Sequence, residues 1–170
     1  PKIFNLSVHK SSGHVVKKDL SASVNDLGDG ILNVEFHSIL QPLLNPIDSS
    51  YIEMINYAID LVEENEYKAI VLGHQGKNFS AGANLNLFLE LSKDKHWDLL
   101  DYAVKTFQET TQRIRFCSAP VVAAPFQLTL GGGTELIQPA AHRVASAETY
   151  IGFVEVGVGL IPGGGGTLRM

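Results

Sequence analysis

Apolar residues along this chain fall into short runs that glycine- and proline-rich turns separate. Two alternating segments, Ser21 to Leu27 and Ile31 to Phe36, flank Gly28-Asp29-Gly30 and predict a β-hairpin. The preceding residues 1–20 are polar and carry no strong pattern. We therefore interpret residues 1–20 as a linker or junction and residues 21–170 as the folded core.

Helical spacing of apolar residues begins after a loop that contains Pro42 and Pro46. Asp48, Ser49 or Ser50 can cap this helix, which should end near Glu66. The remaining runs predict buried strands at 68–73 and 120–125, helices at 85–92 and 97–117, a short helix after Gly131, a short strand at 143–146 and a final loop. Strands that alternate with helices indicate an α/β architecture.

Composition narrows the class of protein further. The 170 residues carry 13 Lys+Arg against 18 Asp+Glu, so the charge pattern does not favour a nucleic-acid partner. A single cysteine, Cys117, excludes a disulfide within the chain. No apolar run reaches the length of a membrane span and no signal peptide is visible, so we expect a cytoplasmic protein. Because the chain starts at Pro1 and ends at Met170, directly after a glycine-rich loop, we also expect a fragment of a longer polypeptide.

Two turns of small residues, each between a predicted strand and a predicted helix, are candidates for ligand binding. The first is Ser80-Ala81-Gly82-Ala83-Asn84 and the second is Gly131-Gly132-Gly133-Thr134-Glu135. Small residues allow a ligand to approach the backbone, and the free N–H groups of a first helical turn favour negative charge. If both turns met at one oxygen atom, they would form an oxyanion hole. Tight packing of strand against helix, without a ligand, explains the same pattern equally well.

Two carboxylates stand in apolar surroundings. Glu135 lies in the first turn of the short helix, where a carboxylate also simply complements the helix dipole. Glu155 is the one charged residue of the run YIGFVEVGVGLIP, so we expect burial to raise its pKa. Such a pair suits general acid/base chemistry. The glycine run 163–166 lacks the lysine of a phosphate-binding loop, and the histidines show no metal-ligand spacing.

Three segments together resemble the crotonase (enoyl-CoA hydratase/isomerase) superfamily. They are FSAGANL at 79–85, APVVAAPFQLTLGGGTELI at 119–137 and VEVGVGLIPGGGGT at 154–167. The family's corresponding blocks are an FxAGAD-like turn, a block that contains GGGxEL, and a block with a glutamate before a glycine-rich loop. The separation of 20 positions from Glu135 to Glu155 agrees with the spacing of the two catalytic glutamates of enoyl-CoA hydratases.

The resemblance implies a spiral of repeated ββα units that binds an acyl-CoA thioester without a metal or redox cofactor. It places the oxyanion-hole amides at Ala83 and Gly132 and the catalytic acids at Glu135 and Glu155. Further acyl-CoA contacts are implied at Ala81, Gly82, Asn84 and Gly131. Having both glutamates favours hydration of a 2-enoyl-CoA to a 3-hydroxyacyl-CoA in fatty-acid oxidation. Asn84 departs from the family's usual Asp, and Val154 stands where a Pro is usual.

Among crotonase-like proteins, the segments most resemble the hydratase part of bifunctional proteins that also contain a 3-hydroxyacyl-CoA dehydrogenase. Hydratase domains of this kind continue past the equivalent of Met170 with helices that cover the active site and support homo-oligomers, so we expect the fold to be truncated here. Alternatives within the family are enoyl-CoA isomerisation and thioester hydrolysis. An alternative of another class is a non-catalytic acyl-CoA-binding domain.

Overall fold

A computed structural model describes residues 4–170, so the first three residues of the proposed linker lie outside the described part. Within this part the chain forms a six-stranded sheet in the order β1-β2-β3-β4-β5-β7 and a two-stranded sheet of β6 and β8. The strands are β1 (Val15–Lys18), β2 (Ala22–Asp26), β3 (Ile31–Phe36), β4 (Ala69–Leu72), β5 (Val121–Ala123), β6 (Leu128–Leu130), β7 (His142–Arg143) and β8 (Tyr150–Gly152).

The helices follow the apolar periodicity of the sequence. They are α1 (Leu6–Ser11), α2 (Ser49–Glu63), α3 (Leu85–Lys93), α4 (Trp97–Phe116) and α5 (Gly132–Ile137), followed by 3₁₀ turns at Glu155–Val158 and Gly166–Arg169. Asp48, one of the three caps that the sequence allows, caps α2 by accepting a hydrogen bond from the Tyr51 N–H. None of the helices between residues 4 and 170 has both the length and the hydropathy that a bilayer crossing requires.

The predicted hairpin is confirmed. Strands β2 and β3 pair antiparallel, with Val24 opposite Val34, and the turn between them places Asp29 and Gly30 at positive φ. From β3 onward the strands of the large sheet run parallel through β4, β5 and β7. Helix α2 covers the apolar face of this sheet, where the Tyr51 ring stacks on Phe36 at a centroid distance of 3.9 Å. The structure therefore has the predicted α/β architecture.

A repeated unit becomes visible when the short second strands are included. In each repeat, one strand joins the large sheet, the next short segment joins a second layer, and a helical segment follows. The second layer consists of Ile47, which bridges Ala83, then Ser80, which bridges Thr129 of β6, and finally β8. All these pairings are parallel. The chain is thus a spiral of ββα units, as the resemblance implies.

Three local expectations differ from the structure. The patternless N-terminal segment forms α1 and β1, and β1 pairs with β2 at the edge of the large sheet. The strand expected at 143–146 is confined to β7, and β6 and β8 were not expected. These strands have two to four residues, which is too short for a hydrophobic periodicity to be recognised in the sequence. Whether such a segment forms a strand depends on the strand with which it pairs.

Helix α1 lies on a polar face of the hairpin. The buried Glu35 carboxylate of β3 is paired with Lys10 of α1 and with His37, and it accepts a hydrogen bond from the Ser23 hydroxyl at 3.0 Å. Burial alone would raise the pKa of Glu35, but hydrogen bonds from His37 and Lys10 outweigh it and lower the pKa to about 2. The attachment of α1 therefore depends on an ionised carboxylate.

This ion pair should make stability sensitive to acid. Because the pKa of Glu35 is lower in the folded than in the unfolded chain, its contribution is complete above about pH 4.5 and disappears as the pH falls towards 2. The full shift corresponds to as much as about 3 kcal/mol. We expect Glu35→Gln to reduce the difference in unfolding free energy between about pH 6 and pH 3 in urea titrations. The exposed Glu53→Gln is the control, and an unchanged pH dependence in Glu35→Gln would contradict the assignment.

Candidate active site

The two small-residue turns of the sequence lie side by side in the structure. Ser80 pairs with β6 through two backbone hydrogen bonds, to Leu128 at 3.0 Å and from Leu130 at 2.8 Å. A Cβ atom at Gly82, whose φ is +96°, would lie 3.0 Å from the Gly132 nitrogen. Only glycine at position 82 permits this approach of one backbone to the other.

The amides of Ala83 and Gly132 are two of the N–H donors that these turns leave unused. Within the described residues, neither N–H has a hydrogen-bond acceptor in the protein. The Cβ direction of Gly132 points to within 3.7 Å of the Ala83 nitrogen, so the two groups are neighbours. Ala83 is exposed and Gly132 is half-buried, so a ligand atom can reach both. The role of these two neighbouring amides as an oxyanion hole stays a prediction.

The other residues expected to contact acyl-CoA use their polar groups within the fold. The N–H of Ala81 donates to Leu44, that of Gly82 to the Ser80 hydroxyl and that of Gly131 to Gly152. The Asn84 side chain caps α3 by accepting a hydrogen bond from the Leu87 N–H, a role that Asp fills equally well. Any contact of these four residues with a ligand stays a prediction.

Glu135 is a buried carboxylate held by a glycine-rich loop. Only 3% of the residue is exposed, and its Oε1 accepts hydrogen bonds from the N–H groups of Gly164 at 2.7 Å and Gly166 at 2.8 Å. Burial raises its pKa, and the charge of Glu155 raises it as well, while the two amides and Arg169 act in the opposite direction. Its Oε2 accepts no hydrogen bond from residues 4–170, so this oxygen is available to a ligand or water.

The glycines of this loop are required by packing. A Cβ at Gly166 would lie 2.8 Å from Cγ of Glu135, and one at Gly164 would collide with the ring of Phe107 on α4. The loop can therefore wrap around the glutamate only without side chains at these two positions. The run that resembles a phosphate-binding loop in sequence is instead the binding site of a protein carboxylate.

Glu155 lies at the start of the 3₁₀ turn that follows β8. Its Oε2 accepts a hydrogen bond from the Val154 N–H at 2.8 Å, and its Oε1 lies 3.1 Å from the Cβ direction of Gly131, the residue before α5. The residue is half-buried, and its neighbours Val156 and Val158 are exposed. The expectation that an apolar run would bury Glu155 is therefore wrong, because this run lies on the surface and Glu135 is the buried acid.

Both carboxylates lie near the beginning of α5, and the charge of Glu155 acts on Glu135. Gly131 directly precedes this helix, and a Cβ atom there would lie 3.1 Å from Oε1 of Glu155, while Glu135 belongs to the helix's first turn. Thr134 holds the arrangement together: its hydroxyl donates to Thr129 of β6 at 2.6 Å and accepts from the Gly152 N–H of β8 at 3.0 Å. On each glutamate one carboxylate oxygen accepts hydrogen bonds from backbone N–H groups and the other accepts no hydrogen bond from residues 4–170.

Several residues that support these groups were missed by sequence reasoning. Gln108 and Thr111 of α4 and the distant Arg169 hydrogen-bond the glycine loop. Asn45 and His74 both donate to the carbonyl oxygen of Phe79, which leads into the first turn. For the residues of α4, the sequence contained only a weak indication of this role. Thr110 and Thr111 are polar residues at buried positions of an amphipathic helix, where apolar side chains are expected.

Comparisons with known proteins identify the family. Residues 41–170 match the model of a family described as enoyl-CoA hydratase/isomerase. The chain is 46% identical to a "Probable 3-hydroxyacyl-CoA dehydrogenase" of Bacillus subtilis over 99% of its length, which covers 21% of that relative. It is 31% identical to a "Probable enoyl-CoA hydratase" of the same organism over 78% of its length, which covers 51% of that relative.

Solved structures agree with the fold. An enoyl-CoA hydratase from Bacillus anthracis superposes with a TM-score of 0.76 at 25% identity, covering 88% of this chain and 57% of that one. The chain therefore spans between a fifth and somewhat over half of the proteins that it resembles. Sequence and structure lead to the same conclusion: the chain has the crotonase fold and belongs to the enoyl-CoA hydratase/isomerase family.

Proposed function

We propose that the chain carries the active site of an enoyl-CoA hydratase that adds water to a 2-enoyl-CoA and forms a 3-hydroxyacyl-CoA. The observation that carries the proposal is the pairing of Glu135 with Glu155 beside two unpaired amides. Each glutamate has one oxygen bound to backbone N–H and one oxygen free. The proposal thus places an acid/base pair and an anion-stabilising pair at the first turn of α5.

In the proposed reaction the thioester oxygen binds between the N–H groups of Ala83 and Gly132. Attack of water on C3 moves electron density through C2 onto this oxygen, which becomes an enolate oxygen. The two amides are fixed in advance by the backbone contact at Gly82, so they stabilise the developing charge without reorganisation. Collapse of the enolate and protonation at C2 give the 3-hydroxyacyl-CoA.

The glutamate pair supplies both proton transfers. One carboxylate removes a proton from water as the C3–O bond forms, and the other delivers a proton to C2. Burial raises the pKa of Glu135, and the charge of Glu155 raises it as well. Because the charge of Glu155 influences the titration of Glu135, we assign the chemistry to the pair and not to one residue.

The product gives the proposal a metabolic context. A 3-hydroxyacyl-CoA is the substrate of a 3-hydroxyacyl-CoA dehydrogenase, and this is the name of the relative that is 46% identical to the chain. Another relative is named a "Putative fatty acid oxidation complex trifunctional enzyme". We therefore propose that the site acts in fatty-acid β-oxidation as the hydratase part of a multifunctional, homo-oligomeric protein.

The decisive experiment is product analysis with the full-length protein. We expect 2-enoyl-CoA to be converted to a product heavier by one water molecule, with loss of the conjugated thioester absorbance. Interconversion of 2-enoyl- and 3-enoyl-CoA without hydration would replace the proposal by isomerisation, and release of free CoA thiol would replace it by thioester hydrolysis. Acyl-CoA binding with no turnover of any of these substrates would indicate a binding domain.

A further inference from the structure

The glycine loop 163–166, which binds Glu135, is also hydrogen-bonded by three side chains from other parts of the chain. Arg169 donates from Nη1 to the Gly164 carbonyl oxygen at 3.0 Å, and the Thr111 hydroxyl lies 3.2 Å from the same oxygen. Arg169 also donates from Nη2 to the Thr111 hydroxyl at 3.1 Å. Gln108 donates to the Gly163 carbonyl oxygen at 2.6 Å. We refer to Gln108, Thr111 and Arg169 as the loop clamp.

The clamp residues hydrogen-bond one of the two peptide groups that donate to Glu135, and also the peptide group that lies between these two. The peptide between Gly163 and Gly164 accepts from Gln108 at its oxygen and donates to Glu135 at its nitrogen. The next peptide, whose oxygen is held by Arg169, separates this donor from the second one at Gly166. Hydrogen bonds in series polarise one another, so the clamp both orients and strengthens the donors.

The loop has little regular structure of its own to fix this conformation. Gly165 is in the left-handed region with φ +91°, and only a single 3₁₀ turn follows it. A Cβ at Gly165 would lie 2.7 Å from Nη1 of Arg169, so the guanidinium occupies the space where a side chain would be. Because glycine-rich backbone has many accessible conformations, an external restraint is needed to hold it in one.

We propose that Arg169 is a positioning residue of the active site, which together with Thr111 and Gln108 holds the glycine loop so that two N–H groups bind Glu135. The inference rests on the proposed function for its effect on turnover, but its structural consequence can be measured without any substrate.

Charge reinforces the geometric effect. The charged side chains that act on Glu135 are Glu155, which raises the pKa of Glu135, and Arg169, which lowers it. Burial is the largest influence and raises this pKa, and the two backbone hydrogen bonds oppose the burial. Removal of Arg169 takes away one cation and loosens both donors, so both changes favour the protonated form of Glu135.

The test compares Arg169→Met, Arg169→Lys and Thr111→Val with the exposed Arg115→Met on α4 as the control. The first readout is NMR titration of the Glu135 carboxyl carbon, assigned by its absence in Glu135→Gln. We expect the Glu135 titration midpoint to rise in Arg169→Met, to rise less in Arg169→Lys, which keeps the charge but loses the two-pronged contact, and to stay unchanged in Arg115→Met. Thr111→Val should also raise the Glu135 midpoint, because it removes the hydroxyl that contacts the Gly164 carbonyl oxygen and Arg169 while keeping the size of the side chain.

The second readout is turnover. Displacement of Glu135 in Arg169→Met should lower kcat by up to about 10²-fold and leave KM nearly unchanged, with the pH profile shifted upward. An unchanged Glu135 midpoint in the folded Arg169→Met and Thr111→Val variants would overturn the inference, whatever their turnover. If Arg169→Met does not fold, Arg169→Lys and Thr111→Val decide by the same criterion. A wild-type protein without hydratase activity would overturn the proposed function instead, and the midpoint measurement would still decide this inference.

Discussion

Replacement of either active-site glutamate by glutamine should reduce hydration of a short 2-enoyl-CoA by roughly 10²–10⁴-fold. Glutamine is nearly isosteric with glutamate, so acyl-CoA binding should remain largely intact and the loss should appear in kcat. The double variant should lose much less than the product of the two single losses, because groups that act as a unit are not additive. Steady-state kinetics of the full-length protein and its three variants measure these effects.

Titration adds a check on the coupling of the pair. Because the charge of Glu155 raises the pKa of Glu135, Glu155→Gln should lower the midpoint at which Glu135 titrates. The exposed Glu53→Gln should behave as wild type in both experiments. Near-wild-type turnover in Glu155→Gln would contradict the hydratase assignment. Loss in Glu155→Gln alone, with Glu135→Gln unaffected, would indicate an isomerase-like reaction.

Removal of the amide hydrogen at position 132 should also have a large effect. Gly132 is the first residue of α5, where proline is sterically tolerated and where the N–H has no acceptor within the described protein. Gly132→Pro should therefore delete a donor to the thioester oxygen at little cost to the helix. Loss of one such donor raises the barrier by about 3–4 kcal/mol, which is on the order of 10²–10³ in kcat.

A matched variant separates the lost donor from the added bulk. In Gly132→Ala the N–H is retained, and the new Cβ makes ordinary contacts of 3.6 Å with Gly82 and Ile47. Its turnover should therefore lie well above that of Gly132→Pro. Circular dichroism and thermal unfolding establish that both variants fold. Wild-type turnover in a folded Gly132→Pro variant would show that the amide is not a donor in the reaction.

Local sequence signals predicted the local structure around the candidate site, but they misjudged which of its carboxylates is buried. The glycine turns, the helix between Gly131 and Pro139 and the two glutamates are where the sequence predicted them, because small residues and lone charges stand out in apolar runs. Burial was assigned to the wrong glutamate. Valines around Glu155 suggested a buried segment, yet this turn lies on the surface, while the glycine loop 29 residues along the chain encloses Glu135.

The sequence alone determined the α/β class, the hairpin, the long helices and the backbone positions where no side chain fits, because periodicity and glycine placement act over a few neighbouring residues. Tertiary structure decided which short strands exist, which glutamate is buried and which side chains hold the loop around it. These features arise from contacts between residues far apart in the chain, such as Arg169 with Thr111, 58 positions earlier. Burial and hydrogen-bond partners depend on what the folded chain brings together, so no local pattern can encode them.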